Sequence, residues 1–295
     1  MTIPPVVWPG GARCAASFTF DVDAESVMLA ADPSHADRMS AISHQAYGPL
    51  TGVPRLLKIL ARNGIRSTFF VPGYTALRYP DVIRSIVDHG HEVAHHGYLH
   101  EAMRGLTEEQ EARIIDRGLE VLESVIGLRP TGYRAPMWEL NWHSPKLLRD
   151  RGFLYDSSLM DADHPYELTV GDGSLVEIPI QWALDDWEQY CYVPEFSGSG
   201  LIESPTKVVE MWRLEFEATR AEGGCFVLTN HPFLSGRPSR AHALDGLIEH
   251  VCAQDDVWVA SLHEIASHVR SLGLTPRSVE RPNPADFSPG PSAGR

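Results

Sequence analysis

Short apolar runs alternate with amphipathic stretches along most of this chain. Residues 16–20 and 67–71 have strand character, with helical periodicity over 53–62 between them and Asn63-Gly64 as the stop. Residues 81–88 predict a helix and 92–94 a brief strand. Thr107, with Gln110 three positions on, has the form of a capping box that opens a long helix reaching about Ile126. A strand begins at Gly132-Tyr133, and Ser144-Pro145 opens a helix ending near Gly152. Residues 175–180 predict a strand, and Ser204-Pro205 opens a helix to about Glu222. A strand over 225–229, a helix over 241–252 and a strand over 257–260 follow, before a last helix from Leu262. About seven strands alternating with helices predict an α/β fold of the strand-helix barrel kind.

Two segments stand outside the alternation. Residues 25–52 form a long insertion, and insertions of this length commonly act as lids or binding loops; this one is expected to close over a site or make a subunit contact. The stretch from Pro276 to the end is rich in Pro, Ser and charge, which predicts a flexible tail over 276–295. Residues 1–275 are then expected to form one domain.

Composition narrows the function classes. With 295 residues, 43% hydrophobic and 22% charged, the chain has the make-up of a soluble globular protein that buries a sizeable core. A formal net charge of -14 without Lys/Arg-rich runs argues against nucleic acid or an anionic membrane as partner. The first residues lack a signal-peptide pattern, and no window approaches the ~20 apolar residues of a membrane span. The four cysteines, Cys14, Cys191, Cys225 and Cys252, are far apart and suggest neither a disulfide framework nor a thiolate metal site. A cytoplasmic location is expected. A cytoplasmic enzyme does not meet finished cell wall, so a small soluble substrate gains ground over a polymer.

The candidate chemistry lies just after the strands. Asp21 and Asp23 end an apolar run as Asp-x-Asp, which puts both carboxylates on one side of an extended chain. His96 and His100 form a His-x-x-x-His, whose spacing places two imidazoles on one face of a helical turn. Two imidazoles and one carboxylate make the three-ligand set of catalytic zinc, with a coordination position left open; cobalt, nickel or manganese also suit it. The spare aspartate is then free to move protons. His91 and His95 are also four apart, and spacing does not choose between the two pairs.

Downstream lie Tyr133-Arg134-Ala135-Pro136-Met137-Trp138, then Leu184-Asp185-Asp186-Trp187, then Leu228-Thr229-Asn230-His231-Pro232. In this order, after the Asp-x-Asp and His-x-x-x-His segments, they resemble the five motifs of the polysaccharide deacetylase family, the NodB-homology hydrolases, over roughly residues 17–265. The resemblance implies a distorted, incomplete barrel with its site at the carboxyl ends of the strands, and hydrolysis of carbon-nitrogen bonds. It makes Asp21 the general base and Asp23, His96 and His100 the metal ligands. It makes His231 the general acid, sets Arg134 to orient Asp21, and gives Asp185 or Asp186 the task of holding Arg134 or His231. Trp138 and Trp187 are the expected pocket walls.

Three departures from the family pattern bear on the substrate. The first motif reads Asp21-Val22-Asp23-Ala24-Glu25 where two adjacent aspartates and a Gly are usual, Gly97 follows the first ligand His in place of Ser or Thr, and Trp138 replaces Tyr. With Ser235-Gly236-Arg237-Pro238, these features resemble a subgroup that includes peptidoglycan deacetylase-like, allantoinase-like and cyclic-imide-hydrolysing members. The expected reaction is N-deacetylation of an acetamido sugar, with opening of an imide or ureide ring as the alternative. The expected partner is thus a glycan or a small molecule. The subgroup is often oligomeric, so the resemblance also allows a homo-oligomer.

Overall fold

A computed structural model of the protein describes residues 6–194 and 201–283. Residues 284–295, most of the expected tail, lie outside the described residues. The strands are β1 (Cys14–Asp21), β2 (Thr68–Val71), β3 (Glu92–His95), β4 (Gly132–Tyr133), β5 (Tyr155–Asp156), β6 (Tyr166–Val170), β7 (Gly173–Glu177), β8 (Cys225–Asn230) and β9 (Val257–Val259). They form one sheet in the order β6-β7-β5-β4-β3-β2-β1-β8, with β9 paired to β1. All pairings are parallel except the β6-β7 hairpin. The sheet curls into a half-barrel, as the resemblance implied.

Two of these strands go beyond the seven expected. β5 is two residues long and shows no period, and β6 is half polar. The Gly171-Asp172-Gly173 turn between β6 and β7 was a readable hairpin signal.

Helices fill the connections. α1 (Ser26–Ala31) and α2 (Met39–Tyr47) lie in the insertion, followed by α3 (Val53–Asn63), α4 (Gly73–Arg78), α5 (Pro80–Asp88), α6 (Glu108–Ile126), α7 (Ser144–Asp150), α8 (Trp187–Tyr190), α9 (Pro205–Glu222), α10 (Pro238–Cys252) and α11 (Leu262–Ser271). The capping box at Thr107 and Gln110 forms as expected. Among the described residues no helix is long and apolar enough to cross a membrane.

The two-residue period of β1 decides what the barrel holds. Cys14, Ala16, Phe18 and Phe20 point outward into the layer beneath the helices. Ala15 points inward with Phe70, Ala94, Val176 and Val227. Ser17, Thr19 and Asp21 share the parity of Ala15 and are fully or almost fully buried. A column of polar side chains thus climbs the inner face and ends in a carboxylate at the carboxyl rim.

The 25–52 insertion is packed against the segment that follows β8. A Cβ on Gly52 would overlap the Pro232 carbonyl, and one on Gly48 would lie 3.2 Å from the Phe233 nitrogen. Arg55 donates to the Gly236 carbonyl and, at 2.6 Å, to the Tyr47 hydroxyl, while Arg237 covers the Tyr47 ring at 3.6 Å. Within the stretch expected as tail, Arg277 exchanges backbone hydrogen bonds with Glu167 and Thr169, so the chain is still tied to β6 there.

Candidate active site and metal centre

Asp21 closes β1, and Asp23 stands two residues beyond it. His96 follows β3, Arg134 follows β4, His231 follows β8, and Asp185 bridges to Thr229 beside β8. Parallel strands deliver all of these side chains to one rim, the usual place of chemistry in such barrels.

The residues converge on Asp23. Its Oδ1 is 3.5 Å from His96 Nε2, and its Oδ2 is 3.5 Å from His100 Nε2. Both Asp23 oxygens are buried and receive no hydrogen bond. An ionised carboxylate left without donors is costly, and a cation is the partner that would satisfy it. Ligands about 2.0–2.1 Å from a tetrahedral ion sit roughly 3.4 Å apart, which matches this spacing. His96 Nδ1 meets the Arg134 carbonyl at 2.8 Å, which leaves Nε2 facing Asp23 as the free acceptor nitrogen. The Asp23-His96-His100 group therefore fits a divalent metal.

The two histidine pairs are separated by the pleat. His91 and His95 share the outward parity of Val93, whereas His96 continues the inward parity of Glu92 and Ala94. His95 Nδ1 accepts from the Gly97 amide at 3.1 Å and its Nε2 meets the Ile115 carbonyl at 3.1 Å, so both ring nitrogens are used. His91 accepts from the Ser67 amide at 3.2 Å. Neither reaches the aspartates.

The expected helical turn at 96–100 does not form. Gly97 has φ +72° and His100 φ +59°, so the chain folds back through left-handed conformations rather than an α-turn. A Cβ on Gly97 would sit 3.0 Å from the Pro136 ring, which accounts for Gly in place of the usual Ser or Thr. Glu101 accepts from the amides of Tyr98 and Leu99 and closes the turn. Ala24, Met137 and Trp138 also have positive φ, so backbone strain concentrates around the site.

Arg134 Nη1 donates to Asp21 Oδ1 at 2.8 Å and to Thr19 Oγ1 at 3.0 Å. Its Nε and Nη2 bind the carbonyl and hydroxyl of Ser157, and its guanidinium lies 4.1 Å above the Phe70 ring. Burial pushes the Asp21 carboxyl up, but Arg134, with His96 and His231 behind it, prevails and holds it below its usual value. Asp21 Oδ2 is left facing His96 Nε2 at 3.9 Å.

Asp186, rather than Asp185, is hydrogen-bonded to His231. Its Oδ1 accepts from the His231 amide and Nδ1, and its Oδ2 from the amide and hydroxyl of Ser235. Four donors leave it no free lone pair for a metal, so the Asp185-Asp186-His231 cluster is an anchor. Burial alone would lower the His231 ring, yet the bond and charge of Asp186, with Asp185 and Asp23 behind, raise it to about 10. Burial pushes Asp185 up to about 8. His231 Nε2 is 3.5 Å from Asp23 Oδ2.

These groups line a cavity of about 100 Å³ walled by Val27, Trp138, Trp182, Trp187 and Glu188. Trp138 and Trp182 stack at 4.5 Å, and the Trp187 ring meets His231 edge-on at 5.1 Å. The roles of Trp182, Ser157, Ser235 and Thr19 were missed in the sequence. Thr19 had a signal there, the strand parity it shares with Asp21, and Ser235 had another, its place in the Ser235-Gly236-Arg237-Pro238 segment. Trp142 is 54% exposed and lies outside this cavity.

Known proteins resemble the chain along most of its length. The polysaccharide deacetylase family pattern matches residues 46–155. A peptidoglycan deacetylase of Helicobacter pylori is 32% identical over 276 residues, covering 85% of this chain and 94% of that one. A Mycobacterium smegmatis crystal structure named for the polysaccharide deacetylases is 64% identical with a TM-score of 0.95, covering 96% and 99%. The structure of Puue allantoinase is 27% identical with a TM-score of 0.80, covering 92% and 94%. With this likeness spanning nearly the whole of its relatives, the chain belongs to the polysaccharide deacetylase family of hydrolases.

Proposed function

We propose that the protein is a metal-dependent hydrolase of non-peptide carbon-nitrogen bonds that removes the acetyl group from an acetamido sugar. The observation that carries this reading is the buried Asp23 carboxylate, without a hydrogen-bond donor and faced by two imidazoles, between Asp21 on one side and His231 on the other. A divalent cation, zinc first, held by Asp23, His96 and His100 would polarise the amide carbonyl and acidify a water.

Asp21 acts as the base. Arg134 occupies Oδ1 and keeps the group ionised, so Oδ2 is the oxygen that takes the water proton. The new carbon-oxygen bond forms as that proton leaves. His231 acts as the acid: Asp186 holds Nδ1, and Nε2 gives its proton to the departing nitrogen as the carbon-nitrogen bond breaks. Trp138, Trp182 and Trp187 exclude water and offer flat faces to the substrate.

A second reading is the opening of an imide or ureide ring. About 100 Å³ of space admits one small ring as well as an acetamido group. The likeness to Puue allantoinase agrees with this reading. A cytoplasmic location belongs to the proposal too, as the wide spacing of the four cysteines along the chain suggests no disulfide framework.

The deciding experiment is turnover of metal-reconstituted protein on an N-acetylglucosamine oligomer, allantoin and succinimide, with chelator-treated protein as control. Acetate release from the oligomer supports the first reading, and ring opening supports the second. Equal turnover after chelation would overturn both.

A further inference from the structure

Asp156 and Glu177 are register partners on the neighbouring strands β5 and β7, and neither exposes any surface. Asp156 Oδ1 accepts from Ser158 Oγ at 2.8 Å, and Glu177 Oε1 accepts from the amides of Ser158 at 3.2 Å and Leu159 at 2.9 Å. Asp156 Oδ2 and Glu177 Oε2 receive no donor from any other described residue. The two carboxyls are within hydrogen-bonding reach of each other. Two adjacent buried carboxylates do not both ionise. One proton between them supplies the missing donor and satisfies both orphan oxygens.

We propose that Asp156 and Glu177 share a single proton, and that this acid pair is the positioning device behind Arg134 and, through it, Asp21. The chain of contacts is continuous. The pair grips Ser158 by its hydroxyl and amide, and Ser158 Oγ accepts from the Ala135 amide at 2.9 Å. Ser157, on the same turn, binds Arg134 through its carbonyl and hydroxyl, and Arg134 binds Asp21. Burial raises Asp156 to about 6 and Glu177 well above its usual range, against the lowering effect of Arg134 on Asp156. The ionisable groups facing the pair are Arg134 and Tyr133 from the β4 side and Tyr166 from β6, whose Cα is in register with Glu177. Both phenols are raised and stay neutral, so Arg134 is the one charge beside the pair among these. Losing the shared proton leaves two repelling carboxylates under the 157–159 turn and loosens Arg134.

The positioning role rests on the reading of Asp21 as the base, whereas the shared proton does not. Glu177→Gln keeps the acceptor for the two amides and puts an N–H where the proton sat, but it does not titrate. The infrared spectrum of wild type at pH 8, minus that of Glu177→Gln, is expected to hold a protonated-carboxyl carbonyl band. Wild-type kcat should fall at alkaline pH in two steps, one from His231 and one from the acid pair, and Glu177→Gln should keep only the His231 step, at an activity within a few-fold of wild type near neutrality. Glu177→Ala should lose ~10- to 100-fold in kcat with KM little changed, as for a misplaced reacting group. Absence of the carboxyl band, or a Glu177→Gln profile superimposable on wild type, overturns the proposal. If wild type turns over none of the panel substrates, the functional reading fails while the infrared difference still decides the shared proton. If Glu177→Ala does not fold by circular dichroism, Glu177→Gln carries the test.

Discussion

Asp186 and His231 are joined twice by one oxygen: Asp186 Oδ1 accepts from the His231 backbone amide at 2.9 Å and from its ring Nδ1 at 2.7 Å. These two hydrogen bonds set the ring's direction, so Nε2 faces the cavity. Asp186→Asn should cut kcat by ~10²-fold, the scale of one acid-base contribution, with metal content unchanged. Metal analysis alongside steady-state kinetics checks this. Asp185→Asn, which touches the ring only at 3.5 Å, should cost less.

His96→Ala and His100→Ala should each remove metal and activity together, since each leaves only two ligands. His91→Ala and His95→Ala should keep the metal. His95→Ala should instead cost roughly 2–4 kcal/mol of stability, because it empties a fully buried site and leaves the Gly97 amide without its acceptor. Metal stoichiometry and urea unfolding of the four variants separate the two outcomes.

Asp21→Asn preserves the shape beside Arg134 but removes the base. Metal content should match wild type while turnover falls ~10²–10⁴-fold. Full activity in the metal-loaded variant would remove Asp21 from the mechanism.

Gly52→Ala tests how the insertion bears on His231. The added methyl would overlap the Pro232 carbonyl, directly after His231, and overpacking of this kind costs about 1–3 kcal/mol. The thermal midpoint and kcat should fall together. Unchanged kcat in a folded variant would mean that the insertion does not hold the His231 turn.

His91 gives a pH dependence with a definite sign. Burial first, then the nearby charges of His89 and Arg66, hold its ring down to about 4 against an ordinary 6.5. Below about pH 6.5 the unfolded chain takes up a proton that the folded chain refuses, so stability falls as pH drops through this window and levels off below about 4. The slope from this one group approaches about 1.4 kcal/mol per pH unit. His91→Gln should flatten the acid side of the stability curve between pH 6.5 and 4, as read by urea unfolding at three pH values.

The fold was legible where the pattern was local. Thr107 and Gln110 announced α6, Asn63-Gly64 ended α3, and the polar-apolar alternation of β1 put Asp21 on the inner face. The choice between the histidine pairs was also within reach. Carrying the parity of 92–94 onward by two residues puts His96 inside with Ala94 and His95 outside with Val93. β5 stayed hidden because two residues have no period, and its partners are distant in the chain.

The sequence by itself determined which residue types reach the rim, because strand parity and helix punctuation depend only on neighbours a few positions away. It did not determine the left-handed turn at 96–100, the preference of Asp186 over Asp185 for His231, or the Ser157 clasp on Arg134. Those depend on separations of 23 to 45 residues closed by the curl of the sheet, and on Pro136, Glu101 and Ser235 arriving at the same place. Only the tertiary structure brings such groups within hydrogen-bonding distance, so only it decides which of two adjacent aspartates holds the histidine.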